Sequence, residues 1–485
     1  MSQYNWLSFI KKKLKSKAIS NSFWAVGSNL LQNIFFSLFF VIVARKYNAT
    51  DFSSYILANT LYGLVLAFSS LGLGQWFVRR LLKEVDKEII IHQFFKLQFI
   101  IGCLFYTVNL ILAFVIYKDH LLRQLSVLIG VNVIFDNIIY VIKHINIAQM
   151  DQKKTFVIQT IESFIKLIVG IAILFFPFSI IHLSLVIIAL RFLTLNAFLN
   201  IGTSFPINFR YLLKVKVDLS TFKEVVLNNW PFIVIGSISV LYWKMGNIFI
   251  STFLTLKDVA HYEISYKLFS IAEVIPVIVS TSIFPILLKK MNDNKNEGMR
   301  FYKQLYISYG IYGLFVFTFI YSFSDQLIPW MFGGQYALTA RYCKEMFLTM
   351  LVFPTAILQA NMLVALNYEK TDMWLNLLSL ILNILFTLVG LFYLKEVTVI
   401  NLSILFSFLC FHLFQDYILI RKKMTTTREA IRFYMAISIA LIFYYMLSLY
   451  ISLLYTFVLF WALLFLFAWL YFEDNIKKQF KVAVQ

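Results

Sequence analysis

Cysteine is nearly absent. Cys103, Cys343 and Cys410 are the only three in 485 residues, each in or beside an apolar segment, so neither a disulfide framework nor a metal-ligand spacing is on offer. Acidic residues are scarce too: 24 Asp and Glu face 43 Lys and Arg, a formal net charge of +19. That surplus invites nucleic acid as a partner. The basic residues sit between apolar runs instead of forming a patch, so no nucleic acid is expected. The six histidines, His92, His120, His144, His182, His261 and His412, never fall at ligand spacing, and no metal is expected. There is no P-loop, zinc motif, Gly-rich dinucleotide loop or hydrolase triad. No cofactor is expected, and an enzyme is not the first expectation. Long polar loops are missing as well. The longest, about 206–224 and 324–341, lack clustered carboxylates, which argues against a membrane-embedded glycosyltransferase or polymerase.

What is abundant is apolar mass. The chain is 60% hydrophobic, with 52 phenylalanines and only 14% charge, and its mean hydropathy is +0.78. No soluble fold buries that much apolar surface, so the fold class is an all-α, polytopic membrane protein. About 14 transmembrane helices are expected, at roughly 20–44, 52–78, 90–117, 121–142, 156–176, 180–204, 225–254, 259–288, 302–323, 342–367, 373–394, 397–420, 431–451 and 453–472. The first follows Lys11-Lys12-Lys13-Leu14-Lys15 and is too long for a signal peptide, so it is a retained helix. With the N-terminus inside, 30 of the 43 basic residues fall in inward segments and 7 in outward ones, the rest lying within spans. Both termini are therefore expected on the cytoplasmic side of a multi-pass protein.

An internal repeat is visible. Asn21 and Asn228, Asp51 and Asp258, Tyr55 and Tyr262, and Lys83 and Lys290 share one offset, 207 residues. Ala148–Lys153 and Ala365–Lys370 form a second echo at an offset of 217. Six spans per half preserve orientation, so two pseudo-symmetric six-helix bundles are expected, related by an axis along the membrane normal. The expected domains are an N-terminal bundle at 1–205, a cytoplasmic linker at 206–224, a second bundle at 225–422, and an additional hairpin with a cytoplasmic tail at 423–485.

Charges inside spans carry the functional signal, because each costs about 2.5–3.5 kcal/mol at mid-membrane unless paired or wet. Arg191 and Lys244 have no carboxylate within four residues and read as cavity cations, with Lys166 and Lys267 beside them. Glu162–Lys166 and Glu263–Lys267 stand four apart, the spacing of intrahelical ion pairs that neutralise themselves. Glu263 and Glu273 are otherwise coupling candidates. Asp136 has two readings, a partner for Arg191 across helices or a ligand for a coupling cation. A cation-lined cavity attracts an anion such as a pyrophosphate. Pro231, Pro276, Pro285 and Pro354 lie within spans and read as hinges or as static kinks. The polar stripes Asn21, Ser28, Gln32 with Asn29 and Asn33, and Asn376, Ser379, Asn383, Thr387, face the bundle interior or bond between helices.

Several motifs resemble bacterial polysaccharide flippases, the O-antigen and capsule repeat-unit translocases of the multidrug/oligosaccharidyl-lipid/polysaccharide exporter superfamily. "VARKYNATDFSSYILANT" and "SSLGLGQWFVRR" are similar to the family's Ala-Arg, acid-Phe-Gly-x-Tyr and Leu-Gly-Leu elements, with Ser53 in place of glycine. Tyr262, Lys267, Leu268, Pro276 and Pro285 follow its Gly-x-Tyr…Ala-x-Lys-Leu…Pro…Pro order, and Phe332, Gly333 and Tyr336 its outer loop. Lys244 matches a basic position of the family, but Gly246 stands where Asp is expected. The resemblance implies bundles around a central cavity and alternating access. Its cargo would be an undecaprenyl-pyrophosphate-linked glycan, carried across the bacterial inner membrane in lipopolysaccharide biosynthesis beside a polysaccharide polymerase and chain-length machinery. Two alternatives are a lipid II flippase and a drug/cation antiporter, the latter disfavoured by the basic excess.

Overall fold

The computed structural model describes residues 17–70, 72–83, 86–205, 207 and 237–483. Pro231, Asn228, Lys11–Lys15 and the connector Pro206–Lys223, apart from Ile207, lie outside the described residues. The described chain is built of helices. In order they are α1 (Lys17–Lys46), α2 (Ala49–Ser69), α3 (Leu73–Lys83), α4 (Lys87–Ile116), α5 (His120–Gly130), α6 (Asn132–Ala148), α7 (Gln152–Phe175) and α8 (Ile180–Asn200). Then follow α9 (237–253), α10 (Leu256–Asp293), α11 (Lys295–Phe332), α12 (Thr339–Phe347), α13 (Phe353–Ala365), α14 (Glu369–Tyr393), α15 (Val397–Arg421), α16 (Thr427–Tyr450) and α17 (Leu453–Ala483). Eleven segments among the described residues are long and apolar enough to cross a membrane, with α5–α6 and α12–α13 each counted as one. Of the other three expected spans, 20–44 falls on α1 and 453–472 on α17, and the described part of 225–254 falls on α9. The protein is thus a multi-pass, all-helical membrane protein.

Helix starts follow local chemistry. The first amides of a helix lack intrahelical acceptors, and a short polar side chain supplies one. Asn48 accepts from the Asp51 amide at 2.8 Å, Asp119 from Leu122 at 2.8 Å, and Thr426 forms a capping box with Glu429. The repeat reappears in these turns. Asn48 and Asp51 exchange bonds before α2, and 207 residues on, the Thr255 amide and hydroxyl donate to Asp258 at 3.0 and 2.7 Å. At the second offset, Met150 (φ 55°) and Asn367 (φ 62°) both turn left-handed to end a helix. The Asp151 amide then closes on the Asn146 carbonyl (2.8 Å), and Tyr368 on Leu363 (2.9 Å), the same five-residue closure.

The chain divides into two compact units. One runs to Glu263 and includes Lys395–Val397; the other takes up from Ile264, so the boundary falls inside α10. Within the first unit α1 lies along α7, and Leu73, Phe77, Phe94, Ile138 and Ile142 form a core among α3, α4 and α6. Lipid is as apolar as leucine, so packing and interhelical hydrogen bonds hold such helices together. Asn137 donates to Ser69 at 2.9 Å and Asn146 to the Gly202 carbonyl at 2.8 Å.

The second unit shows what its prolines do. Pro276 and Pro285 both sit inside α10. A proline frees the carbonyl four residues earlier, and here the Ala272 carbonyl accepts from Tyr312 of α11 at 2.6 Å. Tyr309 donates to the Pro276 carbonyl at 3.3 Å and lies 2.9 Å from Ser280. Two tyrosines therefore strap this bend to α11. Pro354 is not inside a helix: it opens α13 in the first turn, where a missing amide proton costs nothing. The expected span 342–367 is broken before it by a 3-10 turn, Leu348–Leu351. The Met350 carbonyl of that turn approaches Gly313 so closely that a Cβ there would stand 2.2 Å from it.

Candidate functional site

In the first unit, charges from three helices converge. Asp136 comes from α6, Glu162 and Lys166 from α7, and Arg191 from α8. Arg191 donates through one Nη to Asp136 Oδ1, and through the other to Glu162 Oε2 at 2.5 Å. Lys166 pairs with Glu162 Oε1 at 2.6 Å, and the Tyr62 hydroxyl of α2 donates to Asp136 Oδ2. Each carboxylate thus meets a partner at both oxygens. Side-chain exposure is 4% at Glu162 and 15% at Arg191 but 24% at Lys166, which makes Lys166 more accessible than Arg191. Lys143, on the same helix as Asp136, lies within electrostatic reach, so three cations surround two carboxylates. Solvation by water has been replaced by fixed partners, the condition under which buried charge is tolerated.

The cluster adjoins a cavity of about 250 Å³, lined by Gln32, Asn59, Tyr62, Asn132, Gln159 and Arg191 among others, with Lys166 and Glu162 in its wall. Gln32 places one member of the first polar stripe at this cavity. Asn33 of the same helix is exposed, and the other three stripe residues have side chains outside the description.

A second centre in this unit joins α9 to the start of α10. Lys244 donates to Glu263 Oε1 at 2.7 Å, and Asn247 donates to Glu263 Oε2 at 2.7 Å and to Thr60 of α2 at 3.0 Å. The Tyr262 ring packs on Gly246, where an added Cβ would lie 2.7 Å from the ring. That contact gives a physical reason for glycine at this position, where the resemblance led to the expectation of an aspartate.

The placements revise one expectation directly. Arg191 and Lys244 lack a carboxylate nearby in sequence, but both have carboxylate partners from other helices. Asp136 takes the first of its two readings, a bond to Arg191. Glu162 and Lys166 meet as spaced. Glu263 meets Lys244, and Lys267 is buried at 8% exposure. Glu273 is half-buried on α10 and forms no ion pair among the described residues. Tyr62 and Asn59 escaped sequence reading, because a tyrosine in an apolar span passes for core. Their signal was present: Tyr55, Asn59 and Tyr62 fall at helical spacing on one face.

The second unit holds a buried polar network that sequence reading passed over. His412 and Asp416 of α15 meet Tyr434 of α16 and Thr355 and Gln359 of α13. Ser379 donates to the Ser407 carbonyl at 3.1 Å, an interhelical bond, whereas Asn376 and Thr387 bond within their own helix.

Residues 42–341, more than half of the chain, match the family described as polysaccharide biosynthesis protein. The chain belongs to this family. No curated protein matches it in sequence. Among solved structures, the lipid II flippase MurJ in an inward closed conformation aligns with a TM-score of 0.73 at 13% identity, over 94% of this chain and 99% of that one. An inward-facing multidrug resistance MATE family transporter of the MOP superfamily gives 0.66 at 11% identity, over 82% and 96%. A MOP superfamily transporter from Pyrococcus furiosus, described by the reverse polarity of its binding pocket, gives 0.56 at 13%, over 83% and 95%. At such identities the likeness establishes the fold, that of MOP superfamily transporters.

Proposed function

We propose that this family member is a flippase that moves an undecaprenyl-pyrophosphate-linked oligosaccharide repeat unit from the cytoplasmic to the periplasmic leaflet of the bacterial inner membrane by alternating access. The observation that carries the reading is the cluster around Arg191: three cations and two carboxylates, beside a polar cavity, in helices rich in apolar residues. A sugar head group cannot cross hydrocarbon unaided, while its lipid tail can stay in the bilayer. The protein needs only a wet route and a counter-charge for the pyrophosphate. Lys166 supplies that charge by exchanging Glu162 for phosphate oxygens, and Arg191 keeps Asp136 and Glu162 in place during the exchange. Lys244 and Lys267 contribute positive potential along the route, and Glu263 and Glu273 are candidates for coupling. Family membership among polysaccharide biosynthesis proteins supports transport of a glycan over efflux of a cationic drug, and a transport role over catalysis. A polysaccharide polymerase then acts downstream.

The test is complementation of a strain whose own repeat-unit flippase is deleted. Lys166→Gln should accumulate lipid-linked repeat units on the cytoplasmic leaflet at normal protein abundance. Full surface polysaccharide in that variant removes Lys166 from the head-group path. Lipid II is the second reading, favoured by the MurJ fold; rescue of a peptidoglycan-flippase depletion, without rescue of surface polysaccharide, would establish it.

A further inference from the structure

The cavity beside Arg191 has a polarity that the charges alone do not reveal. Five of its lining residues turn donors to protein oxygens. Arg191 serves Asp136 and Glu162, Lys166 serves Glu162, and Tyr62 serves Asp136. Asn59 spends Nδ2 on the Tyr55 carbonyl at 2.8 Å, and Ser163 donates to the Gln159 carbonyl at 2.9 Å. Acceptors remain. Asn132 lines the cavity at 7% exposure, and its Oδ1 is buried with no hydrogen-bond partner among the described residues. A buried orphan acceptor costs about 1–3 kcal/mol until a donor reaches it. Asn59 Oδ1 and the Ser163 lone pairs add acceptor capacity on the same wall.

We infer that this cavity is a subsite for one uncharged, donor-rich sugar ring, whose hydroxyl or acylamino protons are accepted by Asn132 and Asn59. At about 250 Å³ the space is smaller than the ~300–1,000 Å³ that holds a drug-sized ligand, in keeping with a single ring. The inference rests on the glycan-flippase reading and divides its site in two: ring hydroxyls at the asparagines, pyrophosphate at Lys166.

Saturation-transfer NMR on the full-length protein in lipid nanodiscs tests it, with methyl glucoside, methyl N-acetylglucosaminide, and the permethylated glucoside, which keeps the ring but has no O–H donor. The first two sugars should receive saturation and the permethylated one should not. Asn132→Leu should weaken the response roughly tenfold, the loss of one hydrogen bond to a buried partner. Asn59→Ala, on a different helix, should weaken it independently, which keeps the test open if Asn132→Leu fails to fold. Equal transfer to the permethylated sugar overturns the assignment. So does unchanged transfer in both variants, or no transfer to any sugar, which would leave a cavity filled by water only. No lipid-linked cargo enters this measurement, so a negative result here beside intact complementation rejects the subsite and spares the flippase reading.

Discussion

Arg191 in the first unit and Asp416 in the second are both charged groups within membrane helices, and they are held by different means. Arg191 is held by charge: two carboxylates from two other helices, one of them also bound to Lys166. Asp416 is held mainly by neutral donors, Gln359 at 2.6 Å and Tyr434 at 2.9 Å, with His412 at 3.4 Å. An ion-paired centre is expensive to break, because removing one member leaves its partners charged and dry. A centre built on neutral donors loses only hydrogen bonds when the carboxylate becomes an amide of the same shape. The Lys244–Glu263–Asn247 centre lies between them, with one cation and one amide on a single carboxylate.

The sharpest way to break the contrast is Arg191→Ala. It leaves Asp136 with Tyr62 and Glu162 with Lys166, takes a cation from two carboxylates at once, should cost about 3–5 kcal/mol, and should lower membrane abundance and the unfolding midpoint in detergent. Combining Arg191→Met with Asp136→Asn and Glu162→Gln should restore abundance without restoring surface polysaccharide. A stable, abundant Arg191→Ala would show that the carboxylates find water and that the cluster is not a closed network. Lys244→Met comes next. Asn247 still serves Glu263, so a loss of about 2–3 kcal/mol is expected from the same unfolding measurement, smaller than at Arg191. Asp416→Asn should cost about 1 kcal/mol, since Tyr434 and Gln359 can still bond a side chain of that size; a loss matching that of Arg191→Ala would erase the distinction. Tyr312→Phe should have an effect of similar size, about 1 kcal/mol, from orphaning the Ala272 carbonyl at the Pro276 bend. If that variant instead alters transport with stability unchanged, the bend is a moving part and not a fixed strap.

Much of the fold was legible because lipid imposes long apolar helices, and length and hydropathy are properties of a segment alone. The spans fall on helices, and the repeat seen as Asp51/Asp258 and Met150/Asn367 marks matching turns, because capping and left-handed closure are decided within a few residues. Glu162–Lys166 was readable for the same reason: a pair four apart on one helix needs no knowledge of its neighbours. The partners of Arg191 and Lys244, beyond the option of Asp136 for Arg191, were not legible because their carboxylates lie 55, 29 and 19 residues away, on other helices. Pro354 looked like an internal break because the 3-10 turn before it is set by the close approach of Met350 to Gly313, a contact between distant segments.

The sequence by itself determined that the chain crosses a membrane many times as helices, where most of those helices begin and end, and that some of them carry charge. Those are consequences of local composition in a solvent that rewards only satisfied backbone and apolar surface. Which charge meets which was decided by tertiary structure alone. So was the burial of Asn132 with an acceptor to spare, and the donation by Tyr62 into an ion cluster. Pairing energy between buried groups depends on angstrom-scale distance and on the exclusion of water, and neither quantity exists until the helices have packed.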